Sequence, residues 1–144
     1  MSMSFEMYMH DVIQPMRSEL TNLGITELRT PEEVVEHIPY AKGTSLVVVN
    51  SVCGCAAGNA RPAVAKALQH ENIPQHLYTV FAGQDKEATA KAREYLAPYP
   101  PSSPSIAIMK DGELVHFIQR HQIEDRTAEQ IASELTNAFD EYCK

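Results

Sequence analysis

At 144 residues the chain fits one domain and buries a core without needing disulfide staples. Twelve basic against 19 acidic residues give a net charge of -7, which argues against nucleic acid and anionic membrane surfaces as partners. No apolar run reaches the roughly 18 residues of a membrane span, and Met1-Ser2-Met3-Ser4-Phe5-Glu6 lacks the basic-then-apolar order of a secretory signal, so a cytoplasmic location is expected.

The first segment carries Phe5, Tyr8, Val12, Met16, Leu20 and Leu23 at helical spacing. Pro15 interrupts it, leaving one kinked helix or two short ones, and Gly24 supplies a stop. Thr30-Pro31-Glu32-Glu33 reads as a capping box with proline at the first helical position, opening a short helix through about Ile38. Ser45-Leu46-Val47-Val48-Val49-Asn50 is a continuous β-branched apolar run, the pattern of a buried parallel strand. A helix is predicted from about Gly54 to Gln69 on Ala56, Ala57, Ala60, Val64, Ala67 and Leu68, kinked by Pro62. Leu77 to Ala82 reads as a second strand, and Asp85 as the cap of an alanine-rich helix through Leu96.

Pro98 to Ser105 forms a rigid proline loop. Ile106 to Met109 and Leu114 to Ile118 follow as strands, and Asp111-Gly112 between them is a hairpin signal. Thr127 and Gln130 offer a second capping box, and Ile131, Leu135, Ala138, Phe139 and Tyr142 line one face of a last helix. The order β-α-β-α, proline loop, β-hairpin, α is that of a thioredoxin-like core. The expectation is therefore an α/β three-layer sandwich, a mixed central sheet flanked by helices. Residues 44–144 form its core and residues 1–43 an N-terminal helical extension of the same single domain.

The chemistry gathers at Cys53-Gly54-Cys55. Three cysteines, two of them one residue apart, do not make a disulfide framework, and in a reducing compartment such a pair points to metal or redox chemistry. Cys53 falls between a buried strand and the start of a helix, where unpaired N–H groups and the positive end of the helix favour thiolate over thiol. The thiolate is the form that attacks a disulfide. A disulfide across one glycine closes a very small ring, so strain is expected to make the oxidised pair easily reduced. Gly54 suits that position because it tolerates unusual backbone angles. The alternative from spacing alone is a carrier in which both thiolates bind a soft ion such as Cu(I) or Zn(II). Against it, structural zinc wants four ligands, and no histidine pair stands at ligand spacing.

Secondary candidates surround the motif. Asn50 and Ser51 stand on the strand-to-helix turn, as helix caps or as donors to a thiolate. Ser103-Pro104 directly precedes a strand, where thioredoxin-like proteins place a cis-proline facing the reactive cysteine, with the preceding residue's backbone pairing to substrate. A rigid turn built from Pro100, Pro101 and Pro104 is the alternative. Cys143 reads as a packed or exposed terminal cysteine, with a redox or dimer-forming role as the alternative. His116 is placed on a strand face and His121 just after the strand.

Several stretches together resemble the bacilliredoxin family of low-GC Gram-positive bacteria. They are Val48-Val49-Asn50-Ser51-Val52-Cys53-Gly54-Cys55-Ala56-Ala57-Gly58, Ala60-Arg61-Pro62-Ala63, Phe81-Ala82-Gly83-Gln84-Asp85-Lys86-Glu87-Ala88-Thr89-Ala90-Lys91, Pro101-Ser102-Ser103-Pro104-Ser105, and His116-Phe117-Ile118 with Arg120-His121. The resemblance implies removal of bacillithiol, a low-molecular-weight thiol, from proteins that carry it as a mixed disulfide. Cys53 would attack, and Cys55 or a second bacillithiol would resolve. Gly54, Ser103 and Pro104 would position the substrate. Bacillithiol would be a co-substrate, with no bound cofactor or metal, and bacillithiolated client proteins would be the partners. Weak disulfide isomerase activity is the alternative on the same residues. Arg61 would be either a solvated surface residue or a bidentate contact to the bacillithiol carboxylates.

Overall fold

A computed structural model describes residues 2–143, with side chains from residue 10 onward. The Phe5 and Tyr8 positions of the first predicted helix face lie outside the described side chains. The chain runs α1 (Ser2–Thr21), β1 (Thr26–Glu27), α2 (Pro31–His37), β2 (Thr44–Asn50), a π-helical turn (Ala56–Ala60), α3 (Arg61–Ala67), β3 (His76–Phe81), α4 (Lys86–Glu94), β4 (Ser105–Lys110), β5 (Glu113–Ile118), α5 (Arg120–Glu124) and α6 (Ala128–Tyr142). The five strands form one sheet in the order β1-β3-β2-β4-β5. β1, β3 and β2 are parallel, and β4 and β5 are antiparallel additions.

β2 is buried along its whole length because both sheet faces are covered. Successive side chains point to opposite faces. Leu46 and Val48, with Ile106 and Ile108 of β4, meet Val64 of α3 and Ile131, Leu135 and Phe139 of α6. Val47 and Val49, with Ala107 and Met109, meet Val34 of α2 and Ala88 and Ala92 of α4. The expected three-layer, mixed-sheet sandwich with its N-terminal helix is therefore what forms.

Local signals explain most boundaries. The Thr30 hydroxyl accepts from the Glu33 N–H at 3.2 Å while the Glu33 carboxylate accepts from the Thr30 N–H at 3.2 Å. Thr127 and Gln130 make the same reciprocal pair at the start of α6. Asp111 and Gly112 both take positive φ, 51° and 83°, the conformation that closes a tight hairpin. A side chain at Gly112 would also come within 2.7 Å of the Pro39 carbonyl oxygen.

Two expectations need correction. The extension before residue 44 is not helical throughout: Thr26 and Glu27 add an edge strand to β3, and the Leu28 N–H donates to the Thr79 carbonyl at 2.8 Å. Asp85 stands at the cap position of α4 but makes no side-chain cap, because its carboxylate is taken by Arg17 at 2.6 Å. Pro62, as expected, lies inside a helical run that continues over residues 54–67. The helix widens just upstream of it, with the Arg61 N–H reaching back to the Ala56 carbonyl. Pro15, by contrast, sits inside one continuous α1.

Candidate active site

Val49 of β2 lies opposite Ser105 of β4 in the antiparallel register. The residues leaving β2 and those entering β4 therefore meet at one edge of the sheet, bringing Ser51–Cys55 and Ser102–Pro104 together. Ser51 and Val52 turn the chain off β2, and Cys53 opens the next helix. Its carbonyl accepts from the Ala56 and Ala57 N–H groups at 3.1 and 3.2 Å. Val52 is half exposed, Gly54 is exposed, and both motif cysteines are partly exposed.

The two thiols are free and 2.6 Å apart. The Ser51 hydroxyl donates to the Cys53 sulfur at 3.2 Å and accepts from the Cys53 N–H at 3.1 Å. Burial disfavours a thiolate at Cys53. Hydrogen bonds from Cys55, from Ser51 and from the Ala56 and Cys55 backbone outweigh it, so the Cys53 pKa falls below the ordinary thiol value. Cys55 moves the opposite way. Burial, the hydrogen bond to Cys53 and the charge of Cys53 hold its proton on, against a smaller pull from Arg120. The surroundings thus favour ionisation of Cys53 over that of Cys55, with the two sulfurs in hydrogen-bond contact.

Beneath the motif is a polar layer that spacing did not show. Of the two readings open for Ser51, the hydroxyl both bonds the sulfur and holds the Cys53 N–H. Asn50 does neither: its side chain carbonyl accepts from the Ser51 N–H at 2.9 Å and from Arg61 at 2.9 Å, and its amide donates to the Met16 carbonyl at 3.2 Å. Arg61 is not a surface residue. It is 2% exposed, donates to the Ser51 carbonyl at 2.9 Å and pairs with Glu19 at 3.1 Å. Burial removes it from contact with a ligand. The available signal was its isolation as the one charge among Ala56, Ala57, Gly58, Ala60, Ala63 and Val64.

On the other side, the Ser103–Pro104 peptide is cis and Pro104 is buried, as the topology suggested; Ala97–Pro98 is cis as well. Arg120 lies over this loop and donates to the Ser103 carbonyl at 3.2 Å, and nothing in its spacing announced the contact. Cys143 packs half-buried against the larger core, and burial raises its pKa. His116 pairs with Glu134 at 2.6 Å, and His121 lies in α5. Among the described residues no three His, Cys, Asp or Glu side chains come together as metal ligands, and no helix is long and apolar enough to cross a membrane.

The family profile described as disulphide isomerase matches residues 8–143. A bacilliredoxin of Halalkalibacterium halodurans is 59% identical over 144 residues, covering all of both chains. A bacilliredoxin of Cytophaga hutchinsonii is 59% identical over 94% of this chain and 99% of its own, and one from Staphylococcus epidermidis is 51% identical over 100% of this chain and 99% of its own. Among solved structures, Fasciola hepatica thioredoxin aligns with a TM-score of 0.57 at 20% identity, over 82% of this chain and 99% of its own. Mitochondrial thioredoxin 3 of Saccharomyces cerevisiae aligns at 0.56 and 18% identity, over 86% and 99%. With its Cys-x-Cys motif set at the strand-to-helix junction of a thioredoxin-like sheet, the chain belongs to the bacilliredoxin family of thiol–disulfide oxidoreductases.

Proposed function

We propose that the protein removes bacillithiol from cytosolic client proteins, with Cys53 as the attacking sulfur and Cys55 as the resolving one. The observation that carries this reading is the unequal surroundings of the pair: the Ser51 hydroxyl donates to the Cys53 sulfur at 3.2 Å, and against burial the hydrogen bonds lower the Cys53 pKa, while burial and Cys53 itself raise that of Cys55. The Cys53 thiolate attacks the bacillithiol sulfur of the mixed disulfide. The client–bacillithiol S–S bond breaks, the client leaves as a thiolate and takes a proton, and Cys53 now carries bacillithiol. Cys55 then gives up its proton and attacks the Cys53 sulfur. This releases bacillithiol as a thiol and leaves a Cys53–Cys55 disulfide, which a second thiol or a dithiol reductant must reopen. Gly54 lets the two sulfurs meet, and Ser103 and Pro104 offer backbone to the client chain.

The test is to incubate reduced protein, Cys53→Ala and Cys55→Ala with a bacillithiolated client and follow the mass of both partners. Loss of client adduct with wild type, no transfer with Cys53→Ala, and a stable bacillithiol adduct on Cys55→Ala are expected. If Cys53→Ala keeps the first step and Cys55→Ala loses it, the roles are reversed. The family description favours a second reading, disulfide isomerisation on the same residues. Rearrangement of a scrambled-disulfide substrate, with the bacillithiolated client untouched, would replace the first reading with the second.

A further inference from the structure

The carboxylate contact that sequence offered to Arg61 is closed, because that side chain is buried under the motif. A different arginine stands on the open side. Arg120 is the first residue of α5, directly after the hairpin that follows the Ser102–Pro104 loop. Its N–H donates to the Ser102 hydroxyl at 3.4 Å and its guanidinium to the Ser103 carbonyl at 3.2 Å. The hydrogen bond to Glu124, and then the field of the motif sulfurs when ionised, favour its cationic form.

Arg120 differs from the two buried arginines, Arg17 and Arg61, in how weakly its charge is neutralised, and from the loop's other arginine, Arg93, in binding the Ser103 rather than the Ser102 carbonyl. Arg17 is almost fully buried between Glu27 and Asp85 at 2.7 and 2.6 Å. Arg61 is sealed between Asn50, Ser51 and Glu19. Among the described residues the carboxylate partner of Arg120 is Glu124 at 3.4 Å, and both side chains are about half exposed, 47% and 46%. Such surface pairs are worth little and exchange readily. A guanidinium presents five donors in a planar fork that fits a carboxylate. This one is therefore a cation with spare donors, on the Ser103 carbonyl offered to the client, at the end of the sheet where the β2–β4 register also sets Cys53.

We propose that Arg120 is the specificity-determining residue for the thiol being removed: its guanidinium leaves the Ser103 carbonyl and takes a carboxylate of the low-molecular-weight thiol as that thiol's sulfur reaches Cys53. The inference rests on the proposed function for the direction of transfer. Arg120 moves no proton or electron. The bond changes remain those at sulfur, and the arginine selects which adduct is presented. Leaving the Ser103 carbonyl also frees that acceptor for the client backbone at the moment the client must be held.

The test uses one client protein carrying either mercaptosuccinate, an acidic thiol, or 2-mercaptoethanol, a neutral one. Transfer kcat/KM is measured for wild type, Arg120→Gln and Arg120→Lys. The ratio of acidic to neutral rates is expected to fall about tenfold in Arg120→Gln, the size of one charge-assisted hydrogen bond. Arg120→Lys should keep part of it, since the charge remains and the fork is lost. The wild-type preference should also shrink with added salt. A ratio unchanged within about twofold in Arg120→Gln, with both rates falling together, would overturn the proposal and make Arg120 a thiolate or loop contact. A wild-type protein that strips mercaptosuccinate but not bacillithiol would sink the proposed function and leave the Arg120 result standing.

Discussion

Ser51 does two things at once. It fixes the Cys53 backbone by accepting its N–H, and it stabilises the sulfur by donating its hydroxyl. Ser51→Ala removes both bonds, so the Cys53 pKa should rise and alkylation of Cys53 by iodoacetamide at neutral pH should slow about fivefold. In wild type the alkylation rate should climb with pH and reach half its plateau below 9.0, the ordinary thiol value. A half-plateau at or above that value would mean the hydrogen bonds do not offset burial. Stability is a poor substitute for this readout. A lowered Cys53 pKa adds stability above the unfolded thiol range that is lost as pH falls through the folded value. The raised Cys55 pKa adds stability below the unfolded range that is lost as pH rises through its own folded value. The two act in opposite directions, so only the rate isolates Cys53. The cysteines and Ser51 were legible in the sequence because their relation is local, a few bonds along the chain. Arg61 and Arg120 were not, because one is defined by burial and the other by a loop 17 positions away.

α1 is held to the sheet by a charge cluster. Arg17 pairs with Glu27 at the edge strand and Asp85 at the start of α4, and its guanidinium lies 5.0 Å over the Phe81 ring of β3. Removing Arg17 takes from Glu27 its 2.7 Å partner and leaves Asp85, 9% exposed, with the more distant Arg29 at 3.6 Å, so buried carboxylate charge is poorly compensated. Arg17→Ala should cost about 3 kcal/mol in urea unfolding, and Asp85→Asn in that background should recover part of the loss. Thr30→Ala, which breaks only the capping pair of α2, should cost about 1 kcal/mol. The contrast shows which elements sequence discloses. Caps, alternation in β2 and the Asp-Gly turn are local and were read directly. β1 has two residues and no period to detect, the π-helical turn just ahead of Pro62 changes the helical repeat within a few residues, and Asp85 looked like a cap because its true partner lies 68 positions away.

The site is assembled from segments at opposite ends of the chain, and this bears on whether residues 1–43 are an appendage. Met16 and Glu19 of α1 engage Asn50 and Arg61, the side chains under the Cys53 turn. Leu20 is fully buried in the same core as Val48, Ile106 and Phe139. Without α1, Arg61 loses its carboxylate partner, Asp85 and Glu27 lose Arg17, and a leucine-sized gap opens beside β2. The gap alone is worth about 2–5 kcal/mol, against a total stability of about 5–15 kcal/mol. We therefore expect the full chain to unfold as one unit, with helical circular dichroism and protection of Cys143 from alkylation lost at the same urea concentration. A chain beginning at residue 24 should lose at least about 5 kcal/mol and show a Cys53 alkylation profile shifted toward that of an unfolded thiol. If the shortened chain kept both the urea midpoint and the Cys53 profile, α1 would be an attachment and the polar layer beneath the motif would stand without it.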